Sequence, residues 1–370
     1  MTHVPTRFTT SLRTAIVLLA ALMGSQCSAS DASPDHPEAV ILVYHHVALG
    51  TPASTSVTPD RFAEHLGLLE HGGYAVIALQ RVIAALERDE PLPPRSVALT
   101  FDDAYRSVYT QALPALEARG WPFTVFVSTR AVDEGHANTM TWDELRDLEA
   151  RGGAVGNHSR SHDHLVRPQP GEKAEDWRAR VIDDVLAAQS RLEEELERPL
   201  SVFAYPYGEF DLEIRNLIRT LGFLAVGQQS GPVGTGTDPW AIPRFPVATG
   251  FDSPDRLREK LQTVALPVNV VAPSSNTLTA DAGPPELELV MSSGSFDPSR
   301  LVCYVPGQPP AKIRWVDRSA GRLTVTAREP LDPGRSKYTC TAPSSRAAGV
   351  YHWYSHLWMK PNPDGSWPRD

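Results

Sequence analysis

The chain is poor in cysteine, has no surplus of positive charge, and carries no long hydrophobic run beyond its first thirty residues. Lysine and arginine number 35 against 44 acidic residues, which excludes nucleic acid or an acidic polymer held through bulk electrostatics. No run outside residues 15–23 is apolar enough to span a bilayer, so no transmembrane segment is expected. No internal repeat is present. The only three cysteines are Cys27, Cys303 and Cys340.

At the N-terminus, Arg7 and Arg13 precede the apolar stretch 15–23, and small and polar residues follow to Ser30. This is the layout of a signal peptide over residues 1–30, cleaved near Ala29 or Ser30, and it implies an exported protein, periplasmic or secreted. Gly24, Ser25 and Gln26 fit a lipoprotein cleavage site poorly, so no lipid anchor is expected at Cys27. Losing Arg7 and Arg13 takes the net charge to about −11, which suits a neutral or cationic substrate. Cys303 and Cys340 remain, and an oxidising compartment favours their pairing as a disulfide.

From residue 39 to 265, short apolar runs alternate with helical periodicity. Strands are expected at 39–44, 74–79, 96–101, 123–127, 154–157, 202–205 and 224–226. Helices are expected after Thr58-Pro59, around 113–119, from a Thr141/Glu144 capping box to about Arg151, and from about 175 to 197. The alternation predicts an α/β fold with a parallel sheet, open or closed into a barrel. Residues 266–285, rich in Pro, Ser, Asn, Thr, Ala and Gly, read as a linker. Six β-prone segments follow between 287 and 359, predicting a small all-β, sandwich-like domain over 286–370 that the cysteine pair staples. Its aromatic cluster (Tyr351, Trp353, Tyr354, Trp358) reads as core, with a glycan-binding or cell-envelope face as the alternative.

Two motifs carry the chemistry. Thr100-Phe101-Asp102-Asp103 sets adjacent carboxylates at a strand's carboxyl end, and His158-Ser159-Arg160-Ser161-His162 sets two imidazoles four residues apart. Two such histidines share a face on one helical turn. A zincin protease needs Glu directly after the first histidine; Ser159 stands there and excludes that class. In parallel sheets the strands' carboxyl ends gather ligands at one mouth. A carboxylate and two histidines form a metal site with open positions, which leaves the other aspartate free as a base. The motifs together outline a hydrolase.

With Phe203-Ala204-Tyr205-Pro206-Tyr207-Gly208, these motifs resemble the polysaccharide deacetylases of carbohydrate esterase family 4, over about residues 38–262. The resemblance implies a NodB-type distorted (β/α) barrel over 38–265 and hydrolysis of acetamide groups on an N-acetylated polysaccharide. It further implies Asp102 as base, Asp103, His158 and His162 as ligands of a divalent metal (Zn²⁺, with Co²⁺, Ni²⁺ or Fe²⁺ as alternatives), and the Tyr207 backbone N–H as oxyanion donor. No histidine between Leu221 and Leu266 supplies the family's usual acid. Val43-Tyr44-His45-His46 instead resembles the arrangement of poly-N-acetylglucosamine N-deacetylases, which makes His45 the expected acid and His46 the reserve. Poly-β-1,6-N-acetylglucosamine is the first expected substrate, ahead of peptidoglycan and chitin-type oligomers. The chain departs from the pattern at Ala104, where relatives have Gly, and at Ala204, where they have a base-orienting Arg. Arg244 is the expected replacement, reaching in from another strand end. Tyr105, Tyr205 and Tyr207 are the expected aromatic contacts to sugar rings.

Overall fold

The computed structural model describes residues 1–3 and 38–368. The expected signal peptide, beyond its first three residues, and Cys27 lie outside the described residues. Among the described residues no helix is long and apolar enough to cross a membrane.

The centre is a parallel sheet. Its path runs Phe245–Pro246, Ala39–Tyr44, Ser96–Phe101, Phe123–Val127, Gly153–Asn157, Leu200–Ala204 and Leu224–Val226, and Ala75–Val76 also pairs with Ser96–Phe101. The strands 39–44, 96–101 and 123–127 are buried at every residue, as expected of strands covered on both faces. Bridges from Val226 to Ile242 and from Ala39 to Val233 bring the two ends of the sheet toward each other. The result is a parallel half-barrel sheet with helices, consistent with the distorted (β/α) barrel that the resemblance implied.

Local chemistry places the surrounding helices. Thr58 caps helix Pro59–His71 by accepting from the Arg61 N–H, with Pro59 at the first helical position. Thr141 and Glu144 form a reciprocal capping box on helix Trp142–Ala150. The long helix is Ala174–Glu195. The expected strand 74–79 is shorter than its apolar run: only Ala75–Val76 pairs, and Leu79 opens helix Leu79–Arg88. Leu79, Val82, Ile83 and Ala85 lie on its buried face, so helical period overrides apolar content there.

Beyond residue 262 lie two four-stranded sheets. One orders Thr263–Ala265, Tyr351–Lys360, Gly334–Pro343 and Val302–Tyr304; the other orders Val268–Ala272, Glu286–Met291, Arg322–Thr326 and Lys312–Asp317. Leu287, Leu289, Leu323 and Val325 pack against Cys303, Tyr338, Cys340 and Trp358 between them, the core of a sandwich. Cys303 and Cys340 are register partners on antiparallel strands and form a disulfide. The stretch read as a linker needs correction, because Val268–Ala272 is an edge strand paired with Glu286–Met291. Its β-branched valines favour extension despite the Pro- and Ser-rich surroundings.

The sandwich is not a detached module. Leu357 and Met359 share one buried cluster with Phe203, Tyr205, Phe210 and Phe223 of the α/β part. Trp353 packs edge-on to Phe245 and donates its indole N–H to the Ser230 carbonyl. Of the C-terminal aromatics, Trp358 is core, while Tyr351 is 46% exposed.

Candidate active site

Asp102 and Asp103 follow strand Ser96–Phe101, His158 follows Gly153–Asn157, and Tyr205 follows Leu200–Ala204. All three lie at the same edge of a parallel sheet, and His45 follows Ala39–Tyr44 at that edge too. The Asp102 N–H donates to the Tyr44 carbonyl, 2.9 Å away, locking the first two strand ends together.

Segment 158–162 is a loop rather than the expected helical turn. Side chains shape it: Asn157 Oδ1 accepts from the Ser159 N–H, Ser159 Oγ from the His162 N–H, and Asp184 Oδ1 from the Ser161 N–H. Left-handed backbone at non-glycine residues falls at Asp103, Ala104, Ser159, His162 and Tyr207, besides Asp89 and Arg95. Such strain concentrates where a structure over-determines side-chain direction. Ala104 thus does adopt a positive φ, 51°, a conformation that glycine would adopt freely.

The loop brings His158 Nε2 to 3.3 Å and His162 Nε2 to 3.0 Å from Asp103 Oδ1. His158 Nδ1 donates to the Ala204 carbonyl at 2.7 Å, which leaves an Nε2 lone pair facing Asp103. Asp103 Oδ1 is buried and finds no hydrogen-bond donor. Acceptors facing one another in a buried site repel unless a cation lies between them. The three ligand atoms all lie within 4.8 Å of one another, and one carboxylate with two imidazoles is a donor set for a divalent metal with open positions. The residues therefore fit such an ion. Burial pushes the Asp103 carboxyl up; where protons on the two imidazoles stand in for a cation, their hydrogen bonds outweigh burial and hold the carboxyl well below the usual carboxylate range. His158 moves the other way: burial lowers it, and Asp103 and Asp102 more than restore it, so a proton takes the cation's place on Nε2 when no ion is bound.

Asp102 sits beneath this cluster and is sealed from solvent. Arg244, also fully buried, grips it with Nη1 on Oδ1 and Nη2 on Oδ2, both at 2.8 Å. Arg244 Nε donates to the Gly227 carbonyl and Nη1 also to Thr100 Oγ1. Arg244 immediately precedes the short strand Phe245–Pro246, so it enters at the start of a strand and not at a carboxyl end. Burial raises the Asp102 carboxyl; Arg244 and His158 outweigh it, so its pKa ends below the ordinary value.

His45 is half-buried, and the charges of Asp103, Asp102, Arg244 and His158 all act on it. Burial holds its pKa below the ordinary histidine value despite the two aspartates. His46 is buried and stacks on Tyr105, with ring centroids 3.5 Å apart. Tyr207 lies against His162 and stacks on His164 at 3.8 Å. Tyr205 is the one expected contact that the fold withdraws. It is fully buried, donates its hydroxyl to the Trp240 carbonyl and packs on Phe203 and Phe210.

Sequence reasoning missed Gln228, whose Nε2 lies 3.4 Å from Asp102 Oδ2. It also missed Glu209, a buried carboxylate accepting from Arg167 and paired with His164. Neither belongs to a spaced motif; only Glu209's place directly after Tyr205-Pro206-Tyr207-Gly208 could have drawn attention to it.

Residues 89–226 match the polysaccharide deacetylase family. The poly-β-1,6-N-acetyl-D-glucosamine N-deacetylase of Escherichia coli strain K12 is 26% identical over 203 residues, which cover 45% of this chain and 30% of that protein. IcaB from Ammonifex degensii superimposes with a TM-score of 0.52 at 26% identity, covering 60% of this chain and 96% of IcaB. The Streptococcus pyogenes deacetylase PplD, solved with acetate, gives a TM-score of 0.55 at 22% identity, covering 61% of this chain and 99% of that one, a likeness of fold.

Proposed function

Through residues 89–226 the chain belongs to the polysaccharide deacetylase family, and on that premise we propose that it is an exported, metal-dependent N-deacetylase of an N-acetylhexosamine polymer. The carrying observation is the buried, donorless Asp103 Oδ1 facing His158 and His162, with the Arg244-clamped Asp102 next to it. Poly-β-1,6-N-acetylglucosamine is the favoured polymer, supported by the named activity of the E. coli relative and by His45 at the end of the first strand. The catalytic unit spans about residues 38–262, shorter than the expected 38–265 because Thr263–Ala265 pairs within the sandwich, and the sandwich offers a further surface to glycan or cell envelope.

Asp103, His158 and His162 would hold the ion, zinc by preference. When bound, it supplies Lewis-acid polarisation of the acetamide carbonyl and acidifies the attacking water. Asp102 is the base. Its Oδ1 spends one lone pair on Arg244 Nη1 and keeps another for the water's proton, while Arg244 fixes the carboxylate plane. The Tyr207 N–H stabilises the oxyanion of the tetrahedral intermediate. His45 gives the leaving amine its proton; burial makes its protonated form a stronger acid than free imidazolium. Tyr105 and Tyr207 offer rings to the sugar.

The test is acetate release by chelator-stripped, Zn²⁺-reloaded protein from poly-β-1,6-N-acetylglucosamine, chitin oligomers and peptidoglycan in parallel. Release from the first above the others supports the reading. Release from another glycan alone would move the substrate, and none from any would reject the activity.

A further inference from the structure

The turn carrying Tyr207 is held from outside the barrel. Tyr207 has φ 59° and ψ 4°, a left-handed conformation that costs a non-glycine residue roughly 1–2 kcal/mol. The backbone around it closes through Gly208 N–H to the Tyr205 carbonyl and Glu209 N–H to the Pro206 carbonyl. The Tyr207 carbonyl accepts from Arg335 Nη1, a residue 128 positions farther on, in strand Gly334–Pro343 of the sandwich.

Arg335 does more than touch that oxygen. Its guanidinium carbon lies 5.7 Å from the centre of the Tyr207 ring, and its Nε lies 3.7 Å from Glu209 Oε1. Glu209, only 1% exposed, collects Arg167 Nη2 at 2.6 Å and His164 Nδ1 at 2.9 Å. His164 in turn stacks on the Tyr207 ring. Carbonyl, ring and following carboxylate are thus fixed by one connected set of charges, and Arg335 is its member from the C-terminal sheets. The platform beneath Arg335 is firm, because Leu357 and Met359 of the neighbouring strand are buried with Phe203, Tyr205 and Phe210.

We propose that Arg335 is a positioning residue for the deacetylation site, anchoring the turn through the Tyr207 carbonyl so that the N–H on the other side of Tyr207, in the Pro206–Tyr207 peptide, faces the oxyanion. The inference rests on the deacetylase reading for the role of that N–H, and it makes the sandwich a support of the catalytic unit. A carbonyl pulled toward Arg335 orients the backbone of Pro206, Tyr207 and Gly208 as a whole only if the turn is rigid, and the paired Glu209 supplies that rigidity.

The experiment uses the full-length, metal-loaded protein with Arg335→Met, Arg335→Lys and, as a control at the same seam, Lys337→Met, whose Nζ reaches Ser230 Oγ rather than Tyr207. Three quantities are read: kcat and KM for acetate release from an N-acetylglucosamine oligomer, bound metal per chain, and hydrogen exchange of the peptide spanning 205–210. Misplacing a catalytic donor by about an ångström costs up to roughly a hundredfold. Arg335→Met should lower kcat about tenfold or more with KM changed less than threefold, keep its metal, and speed exchange at 207–209. Arg335→Lys should recover part of kcat, and Lys337→Met should leave both kcat and that exchange near wild type. Unchanged kcat and unchanged exchange in Arg335→Met would overturn the inference, as would the same losses in Lys337→Met. If Arg335→Met does not fold, Arg335→Lys decides by whether exchange at 207–209 rises. If the wild type releases no acetate, the deacetylase reading fails, and the exchange arm still tests the clamp.

Discussion

Arg244 grips Asp102 through two parallel hydrogen bonds of 2.8 Å, and neither side chain reaches solvent. A buried ion pair of this kind contributes little net stability while intact, but removing one partner strands the other's charge at a cost of about 3–5 kcal/mol.

Arg244→Met is therefore expected to lose about that much stability at neutral pH in urea unfolding. In the wild type the folded carboxyl lies below its ordinary value, so its stabilisation is present above the unfolded pKa and is lost as pH falls through the folded one. Without Arg244, burial dominates and the folded pKa rises above the unfolded value of about 3.9. The variant's stability should then fall as pH rises through that range, and the acid limb of its kcat/KM profile should move to higher pH. A limb that stays in place would contradict Arg244's hold on the base.

Ala104 sits at positive φ with its methyl buried in the main core. Glycine there would relieve left-handed strain worth roughly 1 kcal/mol and give up a similar amount in packing and chain entropy. Ala104→Gly should change unfolding free energy by less than about 0.5 kcal/mol. A loss beyond about 1.5 kcal/mol, measured by urea unfolding, would show that the strain is not real.

Much of this arrangement is legible in the sequence. The strands that end in Phe101 and Tyr44, the capping box at Thr141 and the β-prone segments of the sandwich carry periodic or capping signals, and the structure follows them. Arg244 carries no spacing signal: its partner lies 142 residues away, and only a missing Arg at Ala204 pointed to it. Tyr205 misleads because a tyrosine beside a motif looks like a groove residue, whereas alternation along its strand end turns it into the core. The edge strand at 268–272 hides in linker-like composition, since edge pairing needs little burial. Arg335 belongs to no motif, and only the packing of the sandwich on the barrel brings it to Tyr207.

The two adjacent histidines separate by their surroundings. His45 feels the charges of both aspartates, whereas His46 is buried against Tyr105. His45→Ala should lower kcat by about a hundredfold or more, the usual share of a general acid. His46→Ala should act mainly on stability, by about 1–3 kcal/mol through lost packing. Side-by-side kinetics and thermal melts check both, and the reverse pattern would transfer the acid to His46.

Cys303–Cys340 closes a loop with a sequence separation of 37, worth roughly 3–4 kcal/mol by chain entropy. Cys303→Ser should lower the thermal midpoint by several degrees, and reductant should lower the wild type similarly. An unchanged midpoint in both would mean that apolar packing holds the sandwich without the disulfide.

The central claim is that Asp102 takes a proton beside a metal held by Asp103, His158 and His162. Its most direct measurement is acetate release per bound Zn²⁺ for Asp102→Asn against wild type on poly-β-1,6-N-acetylglucosamine. The account predicts full metal occupancy in both proteins and at least about a hundredfold loss of kcat in the variant. Wild-type turnover by Asp102→Asn, or turnover by a wild type that binds no metal, would contradict it.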